Sequence, residues 1–106
     1  MFVDADTLKN RLAGKDGLLV LDVRNADEMK GPLGHVAAAR NIAVADLPNR
    51  VSGLQAEKHK PIVIVCKTEM RSLKAEQILA RAGFTDLAVL RGGMEAWNHK
   101  GHPVER

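Results

Sequence analysis

Three runs of four apolar residues, Leu18-Leu19-Val20-Leu21, Ile62-Val63-Ile64-Val65 and Leu87-Ala88-Val89-Leu90, constrain the fold of this chain more than any other feature. None alternates apolar with polar side chains, so each reads as a strand covered on both faces. Helical periodicity fills the intervals. Asp4 is placed to cap a helix with Ala5, Leu8 and Leu12 on one face, Asp6 in its first turn and Gly14 as its stop. Asp46 opens a second helix, with Pro48 in the first turn and Leu47, Val51 and Leu54 aligned. From Ser72 a third carries Ala75, Ile78, Leu79 and Ala82 toward Gly83. Met94 and Trp97 mark the apolar side of a short last helix that Gly101 and Pro103 end. Asn41-Ile42-Ala43-Val44 adds a short strand, while Asn25 to Arg40, broken by Gly31-Pro32 and Gly34, reads mostly as loop. This alternation predicts an α/β fold of three layers, a parallel sheet between two layers of helices.

A sheet of that kind binds its ligand beyond the carboxyl ends of its strands. The rule brings Asp22 and Arg24, the stretch Cys66 to Arg71, and Arg91 to Gly93 to one edge. The middle stretch is the richest: the only cysteine, then Lys67-Thr68-Glu69-Met70-Arg71-Ser72 leading into a helix. A lone cysteine behind an apolar strand is by default a small core residue. The polar loop after it favours a nucleophile, because amide groups at a helix start lack intrahelical partners and hold an anionic sulfur. Lys67 and Arg71 add positive charge and Glu69 opposes them. A carboxylate buried beside a thiolate is costly, so Glu69 is expected to turn outward, to a protein acceptor or to Lys67 or Arg71. Arg24 either ties its strand end to neighbouring loops or faces the pocket. Arg91 is either a rim cation or a surface charge. His35 reads as a hydrogen-bonded structural residue. His59, His99 and His102 read as solvated, with no metal-ligand spacing. Trp97 and Met94 read as core.

The chain has 106 residues, enough for a core without staples, and residues 1–106 are expected to form one domain. Its net charge of +3 is dispersed, and with no tyrosine, two phenylalanines and one tryptophan it lacks the makings of a stacking surface for nucleic acid. No apolar segment approaches a membrane span and no signal-peptide pattern opens the chain, so a cytoplasmic protein without a membrane partner is expected. A single cysteine precludes an internal disulfide. Whatever Cys66 takes up must pass to another molecule.

Leu21-Asp22-Val23-Arg24, then Glu28, Gly34-His35-Val36, Asn41-Ile42 and Leu47, then Cys66 to Arg71 with Ser72, and Gly92-Gly93-Met94 with Trp97 resemble the rhodanese-homology (sulfurtransferase) domain in order and approximate spacing. The resemblance covers nearly the whole chain. It implies a single-domain rhodanese with a mostly parallel, five-stranded sheet and no cofactor or metal. It also implies that Cys66 takes a sulfane sulfur from thiosulfate or a persulfide donor, holds it as a persulfide and passes it to cyanide or a thiol. The amides from Lys67 to Ser72 would then surround the sulfur, Lys67 and Arg71 would bind the departing sulfite, and Ser72 or Thr68 would donate a hydroxyl to the cysteine sulfur. With Arg24 and Arg91 at the rim, these residues form the expected substrate site, Thr68, Glu69 and Met70 lining it as members of the loop. A carrier or regulatory module that trades sulfur with a protein donor or acceptor is the alternative. Cysteine phosphatases and arsenate reductases of related fold place five residues between cysteine and arginine, whereas four lie between Cys66 and Arg71, a tighter cup suited to one sulfur atom.

Overall fold

The three apolar runs are the centre of the sheet. The structure is a computed structural model that describes residues 1–14 and 17–106. In chain order it contains β1 (Phe2–Val3), α1 (Ala5–Leu12), β2 (Leu19–Asp22), a 3-10 turn at Ala26–Lys30, β3 (Arg40–Asn41), α2 (Leu47–Arg50), a 3-10 stretch at Val51–Glu57, β4 (Ile62–Val65), α3 (Met70–Arg81), β5 (Leu87–Leu90) and α4 (Gly93–His99). The strands lie in the order β1-β5-β4-β2-β3. Every pairing is parallel, with Leu21 opposite Ile64, Val63 opposite Ala88 and Phe2 opposite Val89. All carboxyl ends therefore point the same way.

Because side chains alternate along a strand, the sheet divides the core in two. Leu21, Ile62 and Ile64 pack with Leu47, Leu54, Ala75, Leu79 and Phe84 on the α2 and α3 side. Val20, Val63, Val65, Ala88 and Leu90 pack with Ala5, Leu8, Met94 and Trp97 on the α1 and α4 side. Three of the five strands follow from apolar runs, and a fourth, β3, is the polar pair Arg40–Asn41 just before Ile42-Ala43-Val44. The fifth, β1, is two residues long at the sheet edge and carries no periodic signal.

Several boundaries differ from the sequence expectation. The strand expected over 41–44 is shorter and begins at Arg40, and the backbone beyond it continues to bond β2, Ile42 N–H to Asp22 O and Val44 N–H to Val23 O. The helix opened by Asp46 completes one α-helical turn and continues as 3-10, where Ser52 and Gly53 are poor helix formers. The third helix begins at Met70, two residues before Ser72. Inside the expected loop, Asn25 N–H donates to Glu28 Oε2 at 2.9 Å, starting the 3-10 turn. Asp4 caps α1 as expected, accepting from Thr7 N–H at 2.7 Å.

Candidate active site around Cys66

β4 ends at Val65, and the chain must cross from the sheet to the start of α3 in four residues, 66 to 69. Its path is fixed from below by α4. Met94 N–H donates to Cys66 O at 2.9 Å and Glu95 N–H to Lys67 O at 3.1 Å. A trans peptide directs its C=O and N–H to opposite sides, so these two bonds turn the Lys67 and Thr68 amides away from α4. The N–H groups of Lys67, Thr68 and Glu69 make no hydrogen bond among the described residues. Three free donors thus sit in a row between Cys66 and the first turn of the 12-residue α3, whose dipole has its positive end there.

Gly93 is what lets α4 come this close. Its φ is +55°, and a Cβ would meet the carbonyl oxygens of Cys66, Lys67 and Thr68. Gly93→Ala is therefore expected to destabilise the protein by about 2 kcal/mol or more, since a left-handed backbone and three carbonyls both oppose the methyl. It should also slow any reaction at Cys66 by about a hundredfold by shifting the loop. A denaturant midpoint measured beside a turnover assay checks both effects.

The side chains of the loop are largely engaged. Arg71 donates to Glu28 at 2.6 and 3.1 Å, tying α3 to the 3-10 turn after β2. That hydrogen bond raises the Arg71 guanidinium pKa, opposed by desolvation, with weaker contributions from Glu28, Cys66 and Asp22 charge. The same bond holds the Glu28 carboxyl below its ordinary 4.5, against desolvation and helped by the Asn25 amide. Lys67 Nζ lies 3.8 Å from Glu95, both half exposed. Glu69 turns to neither cation, because both have other carboxylates; it accepts from Gly92 N–H at 2.8 Å and so braces the turn before α4. With its cations matched by carboxylates, the loop is left with its backbone amides as the unpaired source of positive potential.

A depressed carboxyl contributes stability that is complete above its ordinary pKa and is lost as pH falls through the folded value. The Glu28 tie to Arg71 should accordingly weaken below pH 4.5. Glu28→Gln is expected to cost no more than about 1 kcal/mol, the pair being partly exposed. The gap between wild type and variant should hold constant from neutrality to about pH 5 and close below it, as read from denaturation at a series of pH values.

Cys66 is 1% exposed and packs with Val23, Ile64 and Ala75, so it closes the apolar cluster while opening the loop. Of the two sequence readings, core residue and nucleophile, the packing is that of the core residue, at the point where the loop begins. Ser72 Oγ is fully buried and has no hydrogen-bond partner, so the donation to the cysteine sulfur expected of it is not made. Met70 stands 79% exposed. Arg24 is 1% exposed and turned to its own strand end: it donates to both Asp22 oxygens, at 2.8 and 3.0 Å, and to Gly34 O at 2.7 Å. Arg91 lies on the surface with its guanidinium 4.3 Å over the Phe2 ring.

Two hollows flank the loop. One of about 360 Å³ is lined by Arg24, Glu28, Leu33, Lys67 and Glu95, and another of about 550 Å³ by Thr68, Glu69, Arg91 and His99. Lys67 and Arg24 share the first, Thr68, Glu69 and Arg91 the second. Glu28, Gly93 and Glu95 join the loop through contacts the sequence signals only for the first, in the Asn25 to Glu28 cap spacing. His35 donates from Nδ1 to Met29 O at 2.8 Å, a structural role. His102 is not solvated as expected, since it bonds Asp6 Oδ1 at 2.8 Å and its ring lies 4.9 Å from that of Trp97 at a tilt of 57°. Among the described residues no group of three His, Cys, Asp or Glu has the geometry to hold a metal, and no helix is long and apolar enough to cross a membrane.

Comparison with known proteins agrees with this architecture. The rhodanese-like domain model matches residues 4–100, and the chain belongs to that family. It is 34% identical over 88 residues to the protein YqhL of Bacillus subtilis, covering 83% of this chain and 67% of YqhL, and it spans only about two thirds of the length of such relatives. It is 32% identical over 79 residues to the thiosulfate sulfurtransferase GlpE of Shewanella oneidensis, covering 74% of each. The crystal structure of the Alr3790 protein from Anabaena superposes with a TM-score of 0.85 at 32% identity, over 95% of this chain and 79% of that one.

Proposed function

We propose that the protein is a sulfurtransferase that carries a sulfane sulfur on Cys66. The observation that supports this most is the row of unpaired amides at Lys67, Thr68 and Glu69 beside the only cysteine, in a cup of four residues. In the first step the Cys66 thiolate attacks the outer sulfur of thiosulfate. The S–S bond of the donor breaks, its electron pair leaves with sulfite, and Cys66 holds a persulfide anion. The three amides face the negative charge that moves onto the outer sulfur. In the second step cyanide or a thiolate attacks that sulfur, the new S–S bond breaks, and the Cys66 thiolate is regenerated. No proton changes hands in either step, consistent with a loop that contains no histidine. The relative named as a thiosulfate sulfurtransferase supports the same donor class.

A thiol that is 1% exposed favours a donor attacked at a terminal sulfur, which alone has to reach it, over a phosphate ester attacked at its central phosphorus. It also favours, as a second reading, a carrier that exchanges sulfur with a protein and turns over slowly with free small molecules. Incubation with thiosulfate and cyanide tests the enzyme reading: thiocyanate is expected, and its absence, with a Cys66 persulfide formed only from a protein donor, supports the carrier instead. Phosphate release from an aryl phosphate without sulfur transfer would overturn both.

A further inference from the structure

Among the described residues the large hydrophobic side chains left exposed are four: Met1 at 83%, Phe2 at 38%, Met70 at 79% and Leu73 at 36%. They come from the two ends of the chain's architecture, the edge strand β1 and the first turn of α3, yet they belong to one face. Met70 and Leu73 are three apart on α3 and so are neighbours. One turn further, Glu76 Oε2 takes the Met1 ammonium at 3.1 Å, which seats β1 against the same side of α3. Arg91, at the carboxyl end of β5, lies over Phe2. The face runs up to the cysteine loop, since Met70 follows Glu69 directly. Its charge leans positive: among the described residues Lys74 and Arg91 have no carboxylate partner, unlike Lys67 and Arg71, and the one carboxylate of the face without a cation, Glu69, is held to the Gly92 amide.

An apolar strip that ends at the loop over Cys66 and is flanked by the cations Lys74 and Arg91 is complementary to an acidic surface bearing an apolar side chain. Resting on the sulfurtransferase reading, we propose that Phe2, Met70 and Leu73, with Lys74 and Arg91, form the docking face for a protein that accepts the sulfur. That acceptor presents a cysteine between acidic and apolar residues. Its thiolate attacks the outer sulfur of the Cys66 persulfide, the S–S bond to Cys66 breaks, and Cys66 leaves as thiolate while the acceptor becomes the persulfide.

Two synthetic peptides of equal length test this, each with one cysteine and one leucine, flanked in one case by aspartate and glutamate and in the other by lysine. After loading with thiosulfate and removal of the excess, the acidic peptide should take the sulfur about tenfold faster at low salt, a preference that shrinks as salt is added. Lys74→Glu should lower the preference about threefold and Leu73→Glu with Lys74→Glu should abolish or reverse it, while thiocyanate formation from cyanide stays unchanged in both. Unchanged cyanide turnover also certifies that the variants fold, and Lys74→Glu alone suffices if the double variant does not. Equal rates with the two peptides, or a preference that the variants leave intact, overturn the docking face but not the chemistry. Sedimentation that shows the face closed between two copies overturns it too. If thiosulfate puts no sulfur on Cys66, the sulfurtransferase reading fails and the docking proposal with it.

Discussion

Cys66→Ser is expected to abolish sulfur transfer, a loss on the order of a thousandfold or more, with little change in stability. The substitution exchanges a sulfur for an oxygen at a site 1% exposed, so the hydroxyl must find a partner there, and the amides of Lys67, Thr68 and Glu69 and the buried Ser72 hydroxyl are unpaired. A serine hydroxyl is not ionised near neutrality and forms no persulfide analogue, so no slow alternative route remains. Thiocyanate formation with wild type and variant side by side, with a thermal melt of each, separates lost chemistry from lost fold. A variant that melts normally and still makes thiocyanate would place the nucleophile elsewhere.

Arg24→Ala should be the most damaging single change to the fold, costing about 3–5 kcal/mol. Asp22 and Arg24 are each 1% exposed or less and are bonded through both carboxylate oxygens. Removing the guanidinium strands the Asp22 carboxylate in the interior and leaves Gly34 O without its donor at 2.7 Å. The same guanidinium joins the end of β2 to the turn that carries Glu28, and through Glu28 to Arg71, so the loop around Cys66 loses its brace at one remove. Asp22→Asn combined with Arg24→Met should recover part of the loss, because the stranded charge goes with its partner. Urea denaturation of the two variants measures the difference. Equal stability in Arg24→Ala and wild type would show that the buried pair contributes nothing to the fold.

The sheet was legible because each central strand is an unbroken apolar run, a pattern that tolerates few other structures once helical periods separate the runs. β1 was not, since two residues at an edge carry no period, and its pairing is decided by β5 from the other end of the chain. Cys66 and its loop were legible as a strand end followed by helix signals. What the sequence could not carry was the balance of charge within the loop. Whether Lys67, Glu69 and Arg71 face the sulfur or one another depends on Glu95, Gly92 and Glu28, which lie 28, 23 and 43 positions away and meet them only in the folded chain. A polar loop after Cys66 does not tell whether its side chain points out or in, and in the fold it is 1% exposed and packed as the core default expects, at the base of the loop.

The most direct measurement is the intact mass of the protein after thiosulfate has been added and removed. The gain of one sulfur atom, confined to the peptide containing Cys66 and discharged by cyanide, is the predicted result. An unchanged mass in a protein whose circular dichroism and melting are those of the folded state contradicts thiosulfate as the donor to Cys66, and an unchanged mass with a protein persulfide donor as well contradicts Cys66 as a sulfur carrier.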